Sequence, residues 1–277
     1  MKRDFEPIKL DEIKRYSLKE RRSKVSTEGF SKVCRKHGSF REFLESLPDI
    51  LAAKDLKDVV SEIVGAYKAQ KIIAFGLGAH VIKVGLNPTI IDLMERGVVS
   101  SIALNGAGII HDSEIAMVGH TSEEVSDGLR EGSFGMADEP AKVINEAISQ
   151  GIERGWGIGE SVGKRLLELN LPYNNVSILA AGTRLNIPVT VHIAIGTDII
   201  HMHPSCNGAA VGEATHLDFR IFSSVVSRLG KGVYLNIGSS VILPEVFLKA
   251  LTLVRNLGFD VKNFTTVNMD FIQHYRP

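Results

Sequence analysis

KIIAFGLGAHVIKVGLNPTIIDLMERGVVSSIALNGAGIIHDSE, from Lys71 to Glu114, contains two short apolar runs, and each of them ends in a glycine turn. The first, Ile72 to Phe75, breaks at Gly76-Leu77-Gly78-Ala79-His80 and gives way to a segment whose Ile90, Ile91, Leu93 and Met94 are spaced as on an amphipathic helix. The second, Val98 to Leu104, ends in Asn105-Gly106-Ala107-Gly108 and is followed by His111, Asp112 and Glu114. Strand, glycine turn and helix in that order make one unit of a parallel α/β sheet. In such sheets ligands lie beyond the carboxyl ends of the strands, where glycines let backbone N–H groups approach a phosphate and helix N-termini carry partial positive charge.

Working outward, the same grammar recurs. Val176 to Ala181 ends at Gly182-Thr183, Val189 to Ile195 at Gly196-Thr197-Asp198, Val233 to Ile237 at Gly238-Ser239-Ser240, and Phe264 to Val267 near Asn268 and Asp270. Helical spacing separates most of these runs: acid residues and a proline open a helix at Asp138-Glu139-Pro140, and others are expected over Ser161 to Leu169, over Leu217 to Leu229 and after Pro244. Six runs alternating with helices predict a doubly wound, mostly parallel six-stranded sheet with helices on both faces, of Rossmann-like type. The strand ends supply the candidate cofactor-binding residues: Gly76, Gly78, Asn105, Gly106, Gly108, Thr183, Gly196, Thr197, Gly238, Ser239, Ser240 and Asn268. The plainer alternative is that these glycines only make loops.

Residues 1–38 are charged and weakly periodic and read as an N-terminal arm lying on the surface or on a partner subunit. Residues 39–277 read as a single α/β domain, entered through two helical pieces separated by Pro48. Lys and Arg number 32 and Asp and Glu number 32, so no net positive charge argues for nucleic acid as the main ligand. Two cysteines, Cys34 and Cys206, are too few for a disulfide framework and suit a reducing cytosol. No apolar stretch reaches the roughly 18 residues of a membrane helix, and the N-terminus lacks the apolar core of a signal peptide. The expectation is a soluble cytoplasmic protein with no membrane partner.

Gly76-Leu77-Gly78-Ala79-His80-Val81 begins like the dinucleotide fingerprint G-x-G-x-x-G but has valine in place of the third glycine, and Asn105 stands where an acid would hold the adenine ribose. His111, Asp112 and Glu114 are close enough for a carboxylate to orient a histidine for proton transfer; helix capping by the two acids is the alternative. His192, His201, His203, Cys206 and His216 are dense, yet they match no standard zinc spacing, and the loop GTDIIHMHPSCNGAAVGE reads as contacting an organic ligand.

From about Ile72 to Asn268 the chain resembles deoxyhypusine synthase and its bacterial relatives. The resemblance is carried by Gly78-Ala79-His80 after the first strand, Asn105-Gly106-Ala107-Gly108 followed by His111 and Asp112, Ile187-Pro188-Val189, Thr197-Asp198, and Gly238-Ser239-Ser240. It implies an NAD-binding fold, a homo-oligomer, and an enzyme that oxidises the C–N carbon of a small amine or amino-acid-like substrate. Asp198 would then hold a substrate ammonium, and His111 with Asp112 would move protons. The departures matter equally. The family's glycine turn continues into K-H-H, whereas Leu243-Pro244-Glu245 stand here, and the family's catalytic lysine in a W-G-K segment has no counterpart, since Trp156-Gly157 is followed by Ile158. Deoxyhypusine synthesis itself is therefore not expected. Alternatives are a non-catalytic nucleotide-binding regulator and an NAD-dependent cyclodeaminase-like enzyme, the latter from the Asn and His-Asp-x-Glu pattern.

Overall fold

The computed structural model describes residues 5–271. The chain divides into two compact units, residues 1–59 and 60–277, within the second helix. In the first unit, residues 5–28 are exposed throughout. A capping box starts helix α1 (Phe40–Ser46): the Glu42 N–H donates to Ser39 Oγ at 3.2 Å, and the Ser39 N–H donates to the Glu42 carboxylate at 2.6 Å.

Helix α2 (Leu51–Lys68) leads to strand β1 (Ile73–Leu77), α3 (Ala79–Lys83), α4 (Asn87–Glu95), β2 (Ser101–Asn105), α5 (Gly106–Val118) and α6 (Val125–Glu131). Then come α7 (Asp138–Ile152), α8 (Ile158–Glu168), α9 (Ile178–Leu185), β3 (Val189–His192), α10 (Gly208–Val226), β4 (Val233–Ile237), α11 (Ile242–Asn256) and β5 (Thr265–Met269). All four strand pairings are parallel, in the order β3-β2-β1-β4-β5. The chain therefore steps outward from β1 to β3, crosses back, and continues from β4 to β5. The reversal lies between β1 and β4, the position at which open α/β sheets form a crevice.

Successive strand residues point to opposite faces. Ile73, Phe75, Leu77, Ile102, Leu104, Val233 and Leu235 pack with Ile82 of α3, Ile109 of α5, Ile144 of α7 and Ile158 of α8. Ala74, Ala103 and Tyr234 face Phe222 of α10 and Leu243, Phe247 and Val254 of α11. The small residues on that second face leave room for aromatic rings: Tyr234 stacks on Phe247 with centroids 4.1 Å apart, and Phe222 and Phe264 meet the pair edge-on. Both faces are covered, which accounts for the apolar runs being continuous rather than alternating. Among the described residues no helix is long and apolar enough to cross a membrane.

The sheet has five strands, one fewer than expected. Val176 to Ala181 is not a strand: a short 3-10 turn covers Asn174–Val176, and α9 starts at Ile178. Ser177 is its N-cap, with Oγ accepting the Ala180 N–H at 3.0 Å. The run is short and uniformly apolar, and hydrophobic pattern alone does not separate a buried helix from a buried strand. Helix α10 also begins earlier than the Leu217 start read from spacing, at Gly208 behind an Asn207 cap, so the last third of the loop expected to contact a ligand belongs to that helix.

Candidate functional site

A groove of about 380 Å³ opens beyond the carboxyl ends of β1, β2 and β4. It is lined by Gly78, Ala79, His80 and Lys83 from β1–α3, by Asn105, Ala107 and His111 from β2–α5, and by the turn Gly238 to Ile242 before α11. These described lining residues include no carboxylate. Lys83 is the cation among them, and the N-termini of α5 and α11 end here with first-turn N–H groups that have no partner within their own helix. The arrangement favours an anionic ligand. At the groove floor the two turns meet: a Cβ on Gly78 would overlap the carbonyl of Gly238, whose φ of +69° places it in the left-handed region suited to glycine.

Of the candidate residues, Gly78, Asn105, Gly238, Ser239, Ser240 and His111 come together in this groove. Asn105 accepts the Gly108 N–H at 2.9 Å and caps α5; Ser239 is buried and accepts the Leu243 N–H at 3.2 Å, capping α11. Both side chains thereby aim helix N-termini at the space. Lys83, one turn into α3, is the charged lining residue that sequence reading missed, alongside His80 and the apolar Ala79, Ala107, Val241 and Ile242; nothing marks it apart from its helical spacing from Gly78.

Other candidates are placed elsewhere. Gly76 lies inside β1, where a Cβ would collide with the Tyr234 hydroxyl, so glycine is required there by the aromatic stack rather than by a ligand. Gly108 packs against Leu104 and Ile82. Gly106 is buried against Asp198, whose carboxylate occupies the space a Cβ would need. Thr183 sits within α9, its hydroxyl donating to the Leu179 carbonyl at 3.2 Å. Asn268 accepts from Asn236 Nδ2 at 2.7 Å and ties the ends of β4 and β5. Gly196 and Thr197 lie in the exposed turn after β3, where Thr197 donates to the Ala194 carbonyl at 2.7 Å.

Asp112 does not join His111. It is wholly buried and accepts from Ser177 Oγ (2.6 Å), the Ile178 N–H (2.9 Å), the Leu179 N–H (3.0 Å) and Asn87 Nδ2 (3.0 Å). Burial pushes its carboxyl up, while these four bonds pull the other way. It holds the N-terminus of α9. His111 instead bonds through Nδ1 to Thr121 Oγ1 at 2.6 Å, and the Thr121 hydroxyl donates to the Glu114 carboxylate. Burial raises the Glu114 carboxyl, but the His111 imidazole 3.7 Å away and the bonds from the Thr121 hydroxyl and the Ser122 N–H outweigh it, leaving the group below the usual carboxylate range.

Asp198 is half-buried beside Gly106 at the N-terminus of α5. Burial pushes its carboxyl up, opposed by His201 and by Thr197. His201 Nδ1 accepts the N–H groups of Gly196 (3.1 Å) and Asp198 (3.3 Å), so Nε2 carries the proton of the neutral ring; that atom is buried without a partner. Among the described residues no group of three or more His, Cys, Asp or Glu is arranged to hold a metal ion.

A second cavity, of about 370 Å³, runs along the outer edge of β3 and takes in Thr183, Lys164 and Asp218. Asp218 of α10 accepts the N–H groups of Val191 (2.8 Å) and Gly159 (3.1 Å), so a side chain caps this sheet edge as a neighbouring strand would. Burial raises its carboxyl from 3.8 to about 7 against these bonds. Between about pH 4 and about pH 7 the folded chain therefore holds a proton that the unfolded chain has released. Stability is expected to fall as pH rises through that window and to level off above it. Urea unfolding across the window checks this, and Asp218→Asn should flatten the slope.

No protein-family model and no curated protein sequence matches the chain. Solved structures do. Unliganded AgrE superposes on 78% of this chain at 15% identity with a TM-score of 0.50, covering 30% of that chain. The likeness is one of fold. A protein from Methanococcus maripaludis S2 assigned to the LOR/SDH group gives 16% identity and a TM-score of 0.47 over 78% of this chain and 64% of its own. A protein from Entamoeba histolytica assigned as a deoxyhypusine synthase gives 14% and 0.44 over 73% and 79%. The chain thus spans about a third of the AgrE chain.

Proposed function

We propose that this chain is an NAD-dependent enzyme that oxidises a small amine or amino-acid-like substrate at the carbon bearing nitrogen. The observation that carries the reading is the groove at the β1/β4 reversal, where the N-termini of α5 and α11, Lys83 and the Gly78–Gly238 approach meet with no carboxylate in the lining. That combination fits a pyrophosphate, and a dinucleotide lying across the crevice would bring its redox group to the strand ends. Bound there, NAD would supply hydride acceptance; the protein's part is to orient it, exclude water and manage protons. Asp198 would pair with the substrate ammonium and His111 would take up a proton. AgrE has been solved with ornithine and NAD+; for this chain the amine substrate follows from the family resemblance, and the groove speaks only to the anionic cofactor. Deoxyhypusine synthesis is outside the reading, because the family's catalytic lysine in a W-G-K segment has no counterpart here, Trp156-Gly157 being followed by Ile158.

Calorimetry with NAD, NADP and ADP-ribose tests the cofactor, with NAD expected to bind at micromolar affinity or better; silence with NAD and a signal from another ligand would sink the reading. In an amine panel, Asp198→Asn should weaken substrate binding by about 1.5–3 kcal/mol while NAD affinity holds. Loss of both, or of folding, would make Asp198 structural. NAD that binds and is never reduced would mark a binding module instead.

The reading extends to the arm over residues 1–38 and to a homo-oligomer. Phe5, Ile8, Tyr16 and Phe30 are exposed in the first unit, single apolar side chains that a second copy would cover. Light scattering should give at least twice the 30.2 kDa of one chain; a monomer at micromolar concentration would refute it.

A further inference from the structure

The hydrogen bonds around His111 run in one direction. Glu114, three residues on, lies on the same face of α5. The helix ends at Gly119, in the left-handed conformation with φ +77°, and the chain turns back so that Thr121 enters between the two side chains. An ionised carboxylate only accepts hydrogen bonds, and a threonine hydroxyl has a single proton to give. Since Thr121 gives that proton to Glu114, its oxygen must accept from His111, and the histidine nitrogen facing it must be Nδ1–H.

From this chain we infer that Thr121 and Glu114 are positioning residues which hold His111 in its Nδ1–H tautomer, keeping Nε2 unprotonated as the acceptor for a proton from a substrate ammonium in the groove. The inference rests on the amine-oxidation reading for its substrate, but not for its tautomer. The proton step is simple. An N–H bond of the ammonium breaks, its electron pair stays on the amine nitrogen, and the proton bonds to Nε2, giving imidazolium and free amine. A carbon bearing nitrogen can be oxidised only after that lone pair is available. Imidazolium then has both nitrogens as donors, and its Nδ1–H still points along Thr121 to the Glu114 carboxylate, which stabilises the new charge.

Asp112 takes no part, since its oxygens are committed to α9. Gly119 is part of the device as well: its φ favours glycine, and a Cβ there would press on the Tyr173 ring at 2.8 Å.

Nitrogen-15 NMR of the whole protein, with neither cofactor nor substrate, tests the tautomer directly. At a pH where the ring is neutral, wild-type His111 should show a protonated Nδ1 and an unprotonated Nε2. Thr121→Val, which keeps the shape and removes the acceptor, should give a tautomer mixture, and Thr121→Ser should restore the single form. A protonated Nε2 in the wild type, or no change in Thr121→Val, overturns the inference. With an amine that the wild type turns over, Thr121→Val should lower kcat about 10- to 100-fold at little-changed KM, with recovery in Thr121→Ser; equal kcat in all three overturns the catalytic role. Failure of NAD to bind while the tautomer results hold would instead remove the functional reading and leave the hydrogen-bond relay intact.

Discussion

Asp112→Ala is expected to destabilise the protein by about 3–5 kcal/mol, since it leaves several buried donors unsatisfied at about 1–3 kcal/mol each, partly offset by relaxation. Four donors lose their acceptor at once: the Ser177 hydroxyl, the Ile178 and Leu179 N–H groups and Asn87 Nδ2. Two of these are first-turn N–H groups of α9, which no intrahelical carbonyl can satisfy. The site is buried, so water does not readily replace the carboxylate. Asp112→Asn should cost less, because the amide oxygen still accepts, although its NH2 group then faces donors. Urea midpoints at constant m-value measure both. The expectation that Asp112 moves protons with His111 leads to a different result: folding near wild type with turnover abolished. A folded Asp112→Asn protein that binds NAD as the wild type does, with its stability lowered, settles the residue as the anchor of α9.

The same residue shows where sequence reading runs out. An acid beside a histidine after a glycine turn reads as chemistry, and only the packing of α5 against α9 reveals that Asp112 faces inward while His111 faces the groove. The five strands were legible because a parallel sheet covered on both faces makes continuous apolar runs, and each run ends where the chain must turn. Val176 to Ala181 broke the pattern because the signal that starts a helix there is divided between Ser177 and a carboxylate 65 residues away. Gly76 and Gly78 look alike in sequence. One lies under the Tyr234 ring and the other at a meeting of two turns, a distinction set by β4, more than 150 positions later. Thr121 was invisible for a related reason: its partners His111 and Glu114 become neighbours of the loop only because Gly119 reverses the chain. Local pattern thus conveyed the order and type of most elements and the end of the sheet that bears the groove. It did not convey which side chains turn towards that groove.

Gly78→Ala should abolish nucleotide binding, by at least about 100-fold, and lower stability by about 1–3 kcal/mol, the usual cost of overpacking. Gly78 has φ −70°, which alanine adopts freely, so the backbone conformation itself is not the obstacle. The obstacle is the carbonyl of Gly238, which the new methyl would overlap, with the Ser239 nitrogen a further 3.0 Å contact. All these atoms are backbone, so no side-chain rotation relieves the clash and the two turns must part. The Gly78 N–H also donates to the Ile237 carbonyl at 2.8 Å, and that bond would stretch with them. Parting the turns moves the N-terminus of α11 away from that of α5, and an anion held by both loses one. Gly85→Ala provides the contrast. Its φ of +82° strains any side chain, yet no neighbouring atom lies within 4 Å, so it should cost about 1 kcal/mol of stability and leave binding unchanged. Calorimetry with NAD and urea unfolding on both variants give the answer. Binding by Gly78→Ala within about threefold of wild type would mean that the approach of the two turns is a packing feature and that the phosphate lies elsewhere, whereas loss of binding in Gly78→Ala alone ties the dinucleotide to the point where the sheet reverses.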